Sequence, residues 1–89
     1  MKAVVTVVGR DTVGILAKVS VVCAEHNANV IDVTQSVMKE LFTMVMLLDI
    51  TEISCDFSVL QNALYEVGEK IGMKIHVMHE DIFNSMHHI

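Results

Sequence analysis

The chain has 89 residues, 53% hydrophobic but only 4% aromatic, and carries a net charge of −5. That length suits one small domain (residues 1–89) with a marginal core, so part of the apolar excess is expected at a subunit interface. Six Lys and Arg against eleven Asp and Glu argue against partnership with nucleic acid or with anionic membranes, which draw affinity from basic residues.

Lys18 and Glu25 interrupt the longest apolar stretch, so no membrane span is expected. Met1-Lys2-Ala3 leads straight into a strand pattern without a small-residue cleavage site, and no secretory signal is expected. Cys23 and Cys55 lie far apart without a CxxC and read as reduced, packed thiols of a cytoplasmic protein.

The valine-rich segment Lys2–Val8 predicts a central strand. A polar bend with a glycine at each end follows, Gly9-Arg10-Asp11-Thr12-Val13-Gly14, and Thr12 or Asp11 is expected to cap the next helix. In that helix Leu16, Val19 and Cys23, with Ile15 and Val22, keep three–four spacing, and Lys18 and Glu25 fall outside. His26-Asn27-Ala28-Asn29 turns the chain back. Val30–Met38 alternates, with Ile31, Val33, Gln35 and Val37 facing one way and Val30, Asp32, Thr34, Ser36 and Met38 the other.

Lys39-Glu40 is the expected turn of an antiparallel hairpin. Leu41–Ile50 is apolar almost throughout and predicts a strand buried on both faces. Ser54 or Asp56 is expected to cap a second helix whose stripe is Phe57, Leu60, Leu64, Val67 and Ile71. Gly72 fits its C-terminal glycine. In Met73–Glu80, Met73, Ile75, Val77 and His79 oppose Lys74, His76 and Met78. Asp81–Ile89 gathers Ile82, Phe83, Met86 and Ile89 on one face of a short helix.

The order is βαββαβ plus a small helix. Right-handed crossovers through each long helix then give an α+β, ferredoxin-like sandwich: a four-stranded antiparallel sheet with two helices on one face. The opposite sheet face is left bare.

Asp11-Thr12-Val13-Gly14-Ile15-Leu16 and Asn29-Val30-Ile31-Asp32-Val33 with Gln35 resemble the recurrent pattern of the ACT domain, a regulatory module often attached to enzymes of amino-acid metabolism. The closing stretch His79-Glu80-Asp81-Ile82-Phe83-Asn84-Ser85-Met86-His87 is similar to that of the stand-alone ACT proteins grouped as UPF0237, in which no catalytic domain accompanies the module. The resemblance implies side-by-side homodimers with a ligand at the interface near the first loop. Asp11 and Asn29 would contact an amino acid, and Gly14 would let the backbone approach it. Val13 stands where the family usually has proline, which leaves the loop less stiff.

These readings make Arg10, Asp11, Thr12, Val13, Gly14, Ile15 and Asn29 the candidate ligand-binding residues. A helix start offers free amides to a carboxylate, Asp11 can meet an ammonium group, and Arg10 can add a charge-assisted contact to an anion. The plain alternative is a capped turn. His76, His79, His87 and His88 lack diagnostic metal-site spacing, and no metal or cofactor is expected. The methionines, Met44 and Met46 foremost, read mostly as gap-filling core.

A protein-interaction module built on the bare face and the tail is the alternative function. A small acyl-phosphate hydrolase using Arg10 is a weaker one, since the central strands carry no asparagine and the loop lacks further glycines. No catalytic residues are assigned.

Overall fold

A computed structural model describes residues 1–86. Its elements are β1 (Lys2–Arg10), α1 (Ile15–Glu25), β2 (Asn29–Met38), β3 (Leu41–Asp49), α2 (Phe57–Ile71), β4 (Met73–His79) and α3 (Glu80–Met86). The strands form one sheet in the order β2-β3-β1-β4, with every neighbouring pair antiparallel. This is the expected βαββαβ sandwich with its additional C-terminal helix.

The core lies between sheet and helices. Alternation places Ala3, Val5 and Val7 of β1, Phe42, Met44, Met46 and Leu48 of β3, and Met73, Ile75 and Val77 of β4 on the covered face, all buried. Ile15, Val19 and Cys23 of α1 and Leu60 and Leu64 of α2 close over them. Leu16, Val22, Phe57, Val67 and Ile71 border that core and are half-buried. Met44 and Met46 are fully buried, so they do fill the core. Met86, by contrast, is exposed.

Several local expectations are corrected. β1 runs on through Gly9 to Arg10, because both residues keep pairing with β3, opposite Phe42 and Leu41. Neither Thr12 nor Asp11 caps α1; the N-cap is Gly14, at φ 86° and without a side-chain cap bond. A left-handed turn there costs glycine little, and it sets the cap two residues beyond Thr12. Asp56 does occupy the N-cap position of α2, again without a side-chain cap bond.

In β2 a register shift between Val30 and Asp32 leaves Ile31 unpaired. This bulge turns Val30 onto the same face as Val33, opposite Leu48, whereas strict alternation puts them on opposite faces. β3 is buried on one face only; Thr43, Val45 and Leu47 on the other are half-buried, because neither α1 nor α2 covers that side. β4 stops at His79, and Glu80 already belongs to α3. Gly72 ends α2 at φ 71°, as its position after the apolar stripe predicts. Ile89, the last residue of the predicted tail stripe, lies outside the described residues.

Candidate functional site

The β1–α1 loop projects from the end of the sheet where β1 finishes and the β2–β3 hairpin turns. Its backbone is tied to that turn: the Asp11 amide donates to the Glu40 carbonyl at 2.8 Å. Arg10 Nη2 and Glu40 Oε1 stand 3.7 Å apart, with both side chains about four-fifths exposed (81% and 80%). The guanidinium thus faces a carboxylate, which offsets the field it would present to an anion. Lys39, at φ 58°, makes the tight turn that brings Glu40 to this position.

Within the loop Asp11, Thr12 and Val13 are exposed, Val13 by 92%, and Gly14 is half-buried. The first helical bond of α1 runs from the Lys18 amide to the Gly14 carbonyl at 3.0 Å. The amides of Ile15, Leu16 and Ala17 therefore precede the helical ladder, and no side chain caps them. They form a partly positive helix start at the loop. The Lys18 stem lies beside it, with Cε 3.8 Å from the point a Cβ on Gly14 would occupy. Glu40 and Lys18 were not apparent as site residues from sequence. Lys18 carries a usable signal, standing one helical turn after Gly14.

Asn29 is not at this end. It opens β2 opposite Asp49, which in turn pairs with Lys2 at the start of β1. Eight strand steps separate Lys2 from Arg10, roughly 25 Å. Within one chain the structure gathers Arg10, Asp11, Thr12, Val13, Gly14 and Ile15, and leaves Asn29 at the far end. The Asn29 side chain makes no hydrogen bond among the described residues.

That far end has its own network. Asn27 Nδ2 donates to the Glu52 carbonyl at 2.7 Å and the Ser54 amide to the His26 carbonyl at 3.1 Å. The Thr51 amide donates to Asp49 Oδ1 at 2.9 Å. This bond, with the Thr51 hydroxyl, holds the Asp49 carboxyl below the ordinary carboxylate value.

The histidines do not assemble a centre. His76 is exposed on the open face, while His79 turns to the other side and stacks on Phe57 with centroids 4.1 Å apart. No group of three or more His, Cys, Asp or Glu able to hold a metal occurs among the described residues. His87 and His88 fall outside them. Cys23 is buried and Cys55 half-buried, both free. Among the described residues no helix is long and apolar enough to cross a membrane.

The family model for the ACT domain matches residues 2–78. The chain belongs to the ACT domain family. A UPF0237 protein of Methanococcus maripaludis is 54% identical over 86 residues, covering 97% of this chain and 96% of that one. The solved ACT domain protein from Streptococcus pneumoniae superposes with a TM-score of 0.80 at 38% identity, covering 93% of each chain. The ligand-free regulatory subunit of aspartate kinase from Thermus thermophilus superposes at 0.66 with 25% identity, over 85% of this chain and 49% of that one. Family and neighbours make this ACT domain, in general terms, a regulatory, ligand-binding type of module.

Proposed function

We propose that this ACT domain is a non-catalytic sensor of an amino acid or similar small zwitterion, and that its binding site is completed only in a homodimer. One observation carries the reading: the uncapped start of α1 and Asp11 stand at one end of the sheet, and Asn29 stands at the other. A second copy is then needed to bring an Asn29 to the loop.

The β2 edge offers a way to do so. Asp32 is the only charged residue of Asn29–Met38, and the segment has no proline; the one edge-blunting feature beyond Asp32 is the bulge at Ile31, near the start of the strand. Antiparallel pairing of two β2 strands centred on Thr34, with each Ile31 left out at the bulge, sets Asn29 of a second copy beside Met38. Met38, Leu41 and Arg10 already form one row across the sheet, which extends the row to Asn29 of the second copy. That spans about three strand spacings, near 14 Å, instead of the roughly 25 Å within one chain. The ligand carboxylate would then meet the α1 amides and its ammonium Asp11.

The test is subunit complementation, with the twenty amino acids screened first by thermal shift. Asp11→Ala and Asn29→Ala should each abolish the shift while the protein stays dimeric. Co-refolded one to one, half of the dimers are mixed and each mixed dimer keeps one intact site, so roughly a quarter of wild-type binding capacity should return. No recovery, or the absence of any shift with the parent chain, would refute the proposal.

A second reading is favoured by the apolar surface around the same end. At this end Met38 and Leu41 pair on the open face, Val37 (52% exposed) lies on the other face of β2 and Val13 lies in the loop, all exposed, apolar surface of the kind a protein-binding patch offers. A monomer that captures a partner through this patch and binds no amino acid would support that reading.

A further inference from the structure

At the end of the helix layer where α1 begins and α2 finishes, the two helices border a surface groove of about 500 Å³. Val22, Val67 and Ile71 border the core beneath it, and Val21 and Ala17 extend the apolar wall. Its remaining lining residues are Lys18 from α1 and Lys70 from α2; no carboxylate lines it among the described residues. The chain has only six Lys and Arg and a net charge of −5, and two of the six flank this one apolar groove. Among the described residues, neither lysine takes part in an ion pair.

The dimensions select the occupant. The α1 residues lining the groove, 17 to 22, rise only about 8 Å along the axis, whereas a docked helix anchored at i to i+7 needs about 10.5 Å. A groove of about 500 Å³ that is open along its length suits a slender chain lying along it rather than an enclosed ligand. An anionic bilayer would also meet the acidic remainder of the surface.

We propose that this groove binds a free anionic amphiphile: a carboxylate with an unbranched or branched alkyl chain. Its head group sits between the Lys18 and Lys70 ammonium groups, and its chain lies on Val21, Val22, Val67 and Ile71. This site is distinct from the dimer-spanning one and does not depend on it. Lys18, beside both the groove and Gly14, gives the two a common border.

The experiment is calorimetric titration of the full chain with hexanoate, octanoate and decanoate below their micellar concentrations, with amide chemical-shift mapping. Each added pair of methylenes should tighten binding several-fold, up to about 15-fold for complete burial. Shifts should centre on residues 17–22 and 67–71. Lys18→Gln with Lys70→Gln should weaken decanoate at least fivefold, and Val21→Asp, at an exposed position, should abolish the chain-length dependence. Decylamine should bind more weakly than decanoate. Affinity independent of chain length, indifference to the lysine changes, or shifts confined to the open sheet face would overturn the proposal. So would sedimentation with phosphatidylglycerol vesicles without any binding of free decanoate.

Discussion

Replacing Gly68 by alanine tests how tightly α2 is set on the sheet. Gly68 is buried within α2, and an added Cβ would stand 2.9 Å from the Met73 carbonyl oxygen and 3.0 and 3.1 Å from two Ile75 side-chain atoms. In an unconstrained helix this change gains about 0.8–1 kcal/mol. Here the Ile75 side chain can shift by a few tenths of an ångström, but the Met73 carbonyl moves only with the start of β4, which pairs with Gly9. Overpacking of this kind costs about 1–3 kcal/mol, so we expect a net loss of about 1 kcal/mol and a Tm lower by roughly 4–8 °C. The assay is thermal unfolding combined with a double-mutant cycle. Ile75→Val removes one of the crowding atoms, so with Gly68→Ala it should cost at least about 0.5 kcal/mol less than the sum of the single changes. A stabilised Gly68→Ala, or strict additivity with Ile75→Val, would show that the glycine does not set the α2–β4 distance. The groove gives the result functional weight, because Val67, Lys70 and Ile71 flank Gly68 and would move with it.

Burial pushes the Cys23 thiol up from 9.0 to about 11. The unfolded chain therefore ionises this group first, so its contribution is complete below about pH 9 and is lost as pH rises toward 11. The loss should be on the order of 2 kcal/mol. Urea unfolding from pH 8 to 10.5 should fall more steeply for the parent chain than for Cys23→Ala; parallel slopes would reject this account. Arg10→Ala, by contrast, should change stability by less than about 0.5 kcal/mol, since the exposed ion pair contributes little and the Asp11–Glu40 backbone bond remains. A Tm drop of many degrees would mean that the loop depends on the guanidinium.

Much of the architecture was legible because burial and period coincide. Leu60 and Leu64 sit one helical turn apart and are both fully buried, and Met73, Ile75 and Val77 keep the strand alternation that sets them in the core. The errors arise where apolarity does not distinguish faces. Val45 and Leu47 are as hydrophobic as Met44 and Met46, yet neither α1 nor α2 covers them, so an apolar run looked buried on both sides. The adjacent Val30 and Ile31 hid the bulge, since either can occupy a core position without a visible break in pattern. Thr12 has the right chemistry for a cap, but the left-handed turn at Gly14 places the helix start out of its range. The separation of Asp11 from Asn29 was readable from topology. A right-handed crossover makes β2 parallel to β1, so the first residue of β2 must lie at the end where β1 begins.

The position of α3 bears on where a second copy can join. Val4 belongs to the open face of β1, between Leu47 and Met78, yet it is only 4% exposed. Thr6 and Val8, further along the same face, are half-buried and exposed. α3 packs against β1 and β4, at the end of the sheet where Val4 lies, and a helix there accounts for the difference. Two sheets meeting face to face must then displace α3 or offset their centres toward β2 and the hairpin. Neither constraint applies to the β2 edge, which lies two strands away from β1. Four of the exposed apolar residues stand at or beside this edge, since Ile31, Val37 and Met38 belong to β2 and Leu41 pairs with it. Burying them requires no movement of α3, which favours edge pairing over face pairing as the route to the proposed two-chain site.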